Sequence, residues 1–148
     1  MSGVQRYEIP SWECFDLVAS RTIGRLCVID HGYPLALPVN YRLIGSDSGR
    51  QIVMRTSPRT LLAAHVGPVS LEVDDIDEAE HKAWSVIVRG SLRKITGPHQ
   101  LPDPEPWITE GRHQWLVVDA TAVSGRRFVA RPSGDGFSVE WELDFGPA

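Results

Sequence analysis

Arg55, Thr56, Ser57, Arg59 and Thr60 crowd into one short stretch of the chain. The apolar run Ile52-Val53-Met54 leads into them, and Leu61-Leu62 opens an apolar helical piece directly behind. Guanidinium forks, hydroxyls and the free backbone N–H groups of a helix start are the donors a phosphate group needs. The stretch points to a phosphorylated cofactor; the competing explanation is a helix cap flanked by solvated arginines. A second candidate lies upstream in Pro38-Val39-Asn40-Tyr41, where Asn40 is the chain's only asparagine. Its amide can donate and accept at once, or satisfy a strand end.

These residues need a scaffold, and the sequence suggests a mainly β one. Ser11 to Ser20 predicts a short helix capped by Ser11, with Cys14, Leu17 and Val18 at helical spacing. Ile23 to Ile29 predicts a strand, Asp30-His31-Gly32 a turn, and Leu35 to Leu43 the returning strand of a hairpin. Gly45 to Gly49 is a turn, Gln51 to Arg55 a strand, and Thr60 to His65 a helix stopped by Gly67-Pro68. Val69 to Val73 and Lys82 to Ile95 follow as strands, with an acidic loop over Asp74 to Glu80 between them. Gly97 to Pro106 holds four prolines and reads as a loop. Trp115 to Val123 is a further strand that Phe128-Val129 can extend, and Phe137 to Leu143 a last one. Short strands at hairpin spacing, with too few helices to cover a parallel sheet, predict an antiparallel barrel.

Bulk properties exclude several functions. A chain of 148 residues with 42% hydrophobic content fits one domain, residues 1–148, with a short polar stretch at 1–10. The net charge of −4 argues against nucleic acid or an anionic membrane as partner. Cys14 and Cys27 form no Cys-x-x-Cys pair, so two reduced thiols are expected. No leader-like apolar segment opens the chain, and no apolar run is long enough to span a bilayer, so the expectation is a soluble cytoplasmic protein. The five histidines are scattered and the acidic loop lacks calcium-loop spacing, so no metal site is expected. Gly-rich nucleotide motifs and a nucleophile elbow are missing, which counts against a kinase, a Rossmann dehydrogenase and an α/β-hydrolase.

Four segments in order carry a resemblance. They are Arg21-Thr22-Ile23-Gly24-Arg25-Leu26, Leu37-Pro38-Val39-Asn40-Tyr41, Ile52-Val53-Met54 with Arg55-Thr56, and Trp84-Ser85-Val86-Ile87-Val88-Arg89-Gly90. From about Ser11 to Val129 the chain resembles the pyridoxamine 5'-phosphate oxidase-like family, the FMN-binding split β-barrels. The resemblance implies an antiparallel split barrel, a homodimer with flavin at the subunit interface, and oxidoreductase activity on a small organic substrate. It implies that Arg55, Thr56, Ser57, Arg59 and Thr60 hold the ribityl phosphate of FMN. Val39 and Asn40 would lie along the ring, Trp84 and Ser85 would approach it, and Arg127, beside Arg126, would reach the cofactor from the C-terminal side. Trp84 is equally placed as a core aromatic, and the two arginines as surface charge. Many relatives carry lysine where this chain has Leu61, which leaves the 5-deazaflavin coenzyme, a non-catalytic flavin-binding or sensing role, and a scaffold without cofactor as alternatives. Hydride transfer belongs to the flavin itself, so no catalytic side chain is expected.

Overall fold

The computed structural model describes residues 5–129 and 145–147. The expected strand over Phe137 to Leu143 lies outside them. The elements are β1 (Gln5–Glu8), α1 (Ser11–Ala19), β2 (Ile23–Asp30), β3 (Tyr33–Asn40), β4 (Arg42–Ser46), β5 (Gly49–Thr56), α2 (Leu61–Ala64), β6 (Gly67–Asp77), β7 (Lys82–Ile95), β8 (Gln114–Val129) and β9 (Gly146–Pro147). The ladder runs β3-β2-β6-β7-β8-β5-β4, with β1 and β9 also pairing with β8. Among the described residues its pairings are antiparallel, and β3 and β4 end the path without joining, which is the open seam of a split barrel.

Alternation builds the interior. Leu26 and Val28 of β2, Leu71 and Val73 of β6, and Val86 and Val88 of β7 are buried; their neighbours in sequence face outward or are half-covered. Ile52, Met54, Leu116 and Val118 complete the wall, and Cys14, Phe15 and Val18 of α1 cover its end. Emptying one such position, as in Leu116→Ala, costs about 2–5 kcal/mol. Tyr41 ends the apolar run expected from Leu35 to Leu43. It is fully buried, and its hydroxyl donates to the Val18 carbonyl at 2.5 Å, so the chain turns from β3 into β4 at this residue.

Several boundaries differ from expectation, each for a physical reason. The α1 N-cap is Pro10, not Ser11, and no side chain caps it. Residues 5–8 form a strand because β8 runs on to Val129 and offers them an antiparallel partner. Asp74 to Asp77 belong to β6, not to a loop. Arg21 pairs with Asp75 at 2.7 Å and Arg25 with Asp74 at 3.0 Å, which tolerates the acidic residues in the ladder. The helix expected over Thr60 to His65 is a single turn, Leu61–Ala64. No helix among the described residues is long and apolar enough to cross a membrane.

Candidate functional site

Three segments meet around a cavity of about 410 Å³. The end of β3 and the start of β2 give Pro38, Val39, Asn40 and Ile23; the end of β5 and α2 give Arg55, Thr56 and Leu62; the connection between β7 and β8 gives Pro106, Trp107, Ile108 and Arg112. The hairpin register sets Ile23 opposite Asn40, and so fixes two walls with one turn. The volume lies within the usual range for small-molecule sites.

Thr56, Ser57 and Thr60 form a hydroxyl cluster at one side. Thr56 is buried and its Oγ1 lies 2.6 Å from Thr60 Oγ1, while Thr60 Oγ1 donates to the Ser57 carbonyl at 2.9 Å. Thr60 therefore closes the turn instead of capping α2. Arg112 Nη1 donates to Thr56 Oγ1 at 3.2 Å and has no carboxylate partner among the described residues. Arg59 is exposed, likewise without an ion-pair partner among them; its backbone N–H donates to Ser57 Oγ at 3.4 Å.

Arg55 is already engaged. Its Nε and Nη2 donate to the Arg112 carbonyl at 3.0 and 2.7 Å, and its Nη1 lies 2.8 Å from Asp103 Oδ2. It also stands over the Trp115 ring, 5.3 Å from the centroid. Arg55 thus builds the cavity wall, and the free guanidinium at the rim is that of Arg112. Asn40 is engaged as well: its Oδ1 accepts the Trp107 N–H at 3.1 Å.

Trp84, Ser85 and Arg127 do not line this cavity. Trp84 lies opposite Arg127 across β7 and β8, packs against the core, and carries the Arg21 guanidinium 5.6 Å from its ring centroid. Arg127 pairs with Glu13 of α1. Ser85 Oγ donates to Glu72 Oε1 at 3.4 Å. Of the ten residues expected to meet one ligand, Val39, Asn40, Arg55 and Thr56 line the cavity, Ser57, Arg59 and Thr60 lie on the adjoining turn outside the lining, and Trp84, Ser85 and Arg127 lie elsewhere in the chain. Leu61 packs partly against the core; its neighbour Leu62 faces the cavity.

Sequence reasoning missed Trp107, Ile108 and Arg112, because a proline-rich loop suggested only a connector. The available signal was a Trp-Ile pair in a long polar connection, since loops of that length commonly carry function.

Residues 10–127 match the sequence pattern of the pyridoxamine 5'-phosphate oxidase family. The chain belongs to that family. The uncharacterized protein Rv0080 of Mycobacterium tuberculosis is 28% identical over 130 residues, covering 83% of this chain and 86% of its own. The FAD binding protein from Mycobacterium smegmatis is 27% identical, covers 84% of this chain and 99% of its own, and superposes with a TM-score of 0.64. An FAD-binding protein from Mesorhizobium loti, 22% identical over 85% of this chain and 98% of its own, shares the fold with a TM-score of 0.62.

The residues present fit a flavin in chemical type. The Thr56 hydroxyl and the Arg112 guanidinium, which has no carboxylate partner among the described residues, suit an anionic tail, and Ile23, Pro38, Val39 and Leu62 suit a flat apolar body. The Asn40 amide nitrogen remains available to a ring carbonyl, its oxygen being used by Trp107.

Proposed function

We propose that this chain is a dimeric flavin-dependent oxidoreductase that acts on a small organic substrate. One observation carries the proposal: a single cavity combines the Thr56 hydroxyl and the Arg112 guanidinium with apolar walls and one amide at Val39 and Asn40. Membership of the family and the FAD-binding relative at 27% identity support a flavin over other phosphorylated ligands. FMN and the 5-deazaflavin coenzyme are the expected cofactors, and the relative's name adds FAD.

When bound, the flavin supplies hydride or electron transfer. Thr56, Thr60 and Arg112 would hold the phosphate, and Arg59 would add charge from the turn. A charge-assisted contact of this kind contributes roughly 1.5–3 kcal/mol. Val39, Pro38 and Leu62 would exclude water from one ring face, and Asn40 would orient the ring edge. A second subunit would cover the open side, as the family pattern implies, and could bring Trp84, Ser85 and Arg127 to the same flavin.

Among the described residues, the cavity lining contains no carboxylate, histidine, lysine, tyrosine or cysteine. The same lining favours a second reading, a flavin-binding module without turnover. Titration of the purified protein with FMN, FAD and deazaflavin, followed by flavin fluorescence, tests the site. Reduction of the bound flavin by nicotinamide donors separates enzyme from module. Failure of all three cofactors to bind at tens of micromolar rejects both readings.

A further inference from the structure

Trp107 stands at the rim of the cavity with 80% of its surface exposed, and Ile108 beside it is 64% exposed. A single exposed apolar residue needs no explanation. Here the two occur together at a ligand-sized opening, on a segment that is firmly attached. Asp103 pairs with Arg55 at 2.8 Å, and Glu105 with Arg42 at 2.7 Å. The Glu105 N–H donates to Asp103 Oδ1 at 2.9 Å, and the Trp107 N–H to Asn40 Oδ1 at 3.1 Å. Pro104 and Pro106 are buried. Glu105 itself sits at φ 49°, a left-handed conformation that a non-glycine residue keeps only when its surroundings impose it. The backbone is therefore fixed by several contacts while its largest side chain is left uncovered by the rest of this chain.

A ring held still at the rim is a stacking surface. Resting on the flavin reading above, we propose that Trp107 is the platform for the adenine of a dinucleotide flavin, so that this chain takes FAD in preference to FMN. FMN ends at its phosphate and has nothing to lay on an indole outside the cavity. FAD continues through a second phosphoryl group and a ribose to a purine. Two guanidinium groups near the cavity, Arg112 in its lining and Arg59 on the adjoining turn, have no carboxylate partner among the described residues and match two singly charged phosphoryl groups. A purine stacks on indole by its face and makes no demand for hydrogen-bond readout, which suits a rim where Trp107 and Ile108 stand exposed beside Ile23 and Pro38. The stack is worth about tenfold in affinity.

The test is a pair of titrations, FMN and FAD, on the wild-type protein and on Trp107→Ala and Trp107→Phe. Flavin and tryptophan fluorescence report binding, and light scattering reports mass. The expected result is tighter binding of FAD than FMN by about tenfold, lost in Trp107→Ala and largely kept in Trp107→Phe, with FMN affinity changed less than about twofold throughout. Equal affinities in the wild type would overturn the proposal, as would equal weakening of both flavins in Trp107→Ala. A fall in mass from dimer to monomer in Trp107→Ala would also overturn it, by making the rim a subunit contact. If neither flavin binds the wild type, the flavin reading itself fails; if FMN binds as well as FAD, only the adenine platform fails.

Discussion

Arg55 Nη1 sits between the two oxygens of Asp103, at 3.1 and 2.8 Å, and so fastens the end of β5 to the connection between β7 and β8. The N–H of Glu105 and then Arg55 hold the Asp103 carboxyl below its ordinary range. A group lowered in this way contributes stability above its unfolded value of 3.8, and that contribution is lost as pH falls through the folded value. Asp103 is half exposed, so its pair lies at the upper end of the surface range, about 1 kcal/mol. Asp103→Asn should lower the melting temperature by only about 3 °C. Arg55→Ala also abandons the Arg112 carbonyl, and should cost roughly twice as much. Thermal melts at neutral pH compare the two; equal losses would mean that the carbonyl contacts contribute nothing.

Gly90 marks the one irregularity in the β7–β8 register, between Arg89 and Gly90. A Cβ built there would lie 2.4 Å from the Asp119 carbonyl oxygen and 2.5 Å from Val118 Cγ1. The oxygen belongs to backbone in the middle of the longest strand pair, so it cannot move aside as a flexible side chain would. Gly90→Ala should therefore destabilise by about 1–3 kcal/mol, by overpacking. Chemical denaturation gives the number, and a neutral result would mean that the bulge can shift along the ladder.

Glu72 faces Asp74, Arg25 and Ser85 on the outer side of β6. Burial, with the neighbouring Asp74, pushes its carboxyl up from 4.5 to about 7. Arg25 opposes this but is 55% exposed and shared between two carboxylates, so burial wins. A raised folded value means that the native state holds the proton more tightly than the unfolded chain. The resulting stability is full below 4.5 and is lost as pH rises through about 7. Screening at this partly open face reduces the effect to about 1–2 kcal/mol. Glu72→Gln should flatten stability across that window, and an unchanged slope in denaturation midpoints would assign it to other groups.

The sheet was legible because alternation is strong in Leu26 to Val28, Leu71 to Val73 and Trp84 to Val88, where each inward residue is apolar. β1 was not, because its strand state depends on β8 reaching Val129 and not on its own polar residues. The acidic end of β6 misled because carboxylates signal solvent, whereas Arg21 and Arg25 from β2 and the turn before it neutralise them at long sequence separation. The same limit applies at the site. Val39, Asn40 and Thr56 were recognisable from local chemistry and do meet at one cavity. That Asp103 would occupy Arg55, and leave Arg112 free, depends on contacts across 48 and 57 residues that no local pattern encodes.

Arg126 is buried to 7% exposure, and its Nε has no hydrogen-bond partner in the described structure. A buried guanidinium nitrogen left without a partner lowers stability, whereas an apolar side chain of similar length leaves none. Arg126→Met should leave the melting temperature unchanged or raise it by a few degrees, in the absence of any flavin. If the arginine serves a ligand, the same variant should also weaken flavin binding. A drop in melting temperature would show that the guanidinium finds an anion in the folded protein.

Thr56 and Arg112 provide the sharpest test of the phosphate assignment, because they touch each other and face the cavity with little role in the core. Arg112→Ala removes a charge-assisted contact, and should weaken flavin binding by about tenfold to a hundredfold. Thr56→Val keeps the volume but leaves Arg112 Nη1 without its acceptor and Thr60 Oγ1 with the Ser57 carbonyl alone, so it should weaken binding by about tenfold. The double variant should lose less than the product of the two, since both act on one phosphate through one contact. Riboflavin, which lacks the phosphate, is the control: its affinity should be nearly the same in all four proteins. If riboflavin weakens in parallel with FMN, the two residues shape the ring slot, and the anionic tail lies elsewhere.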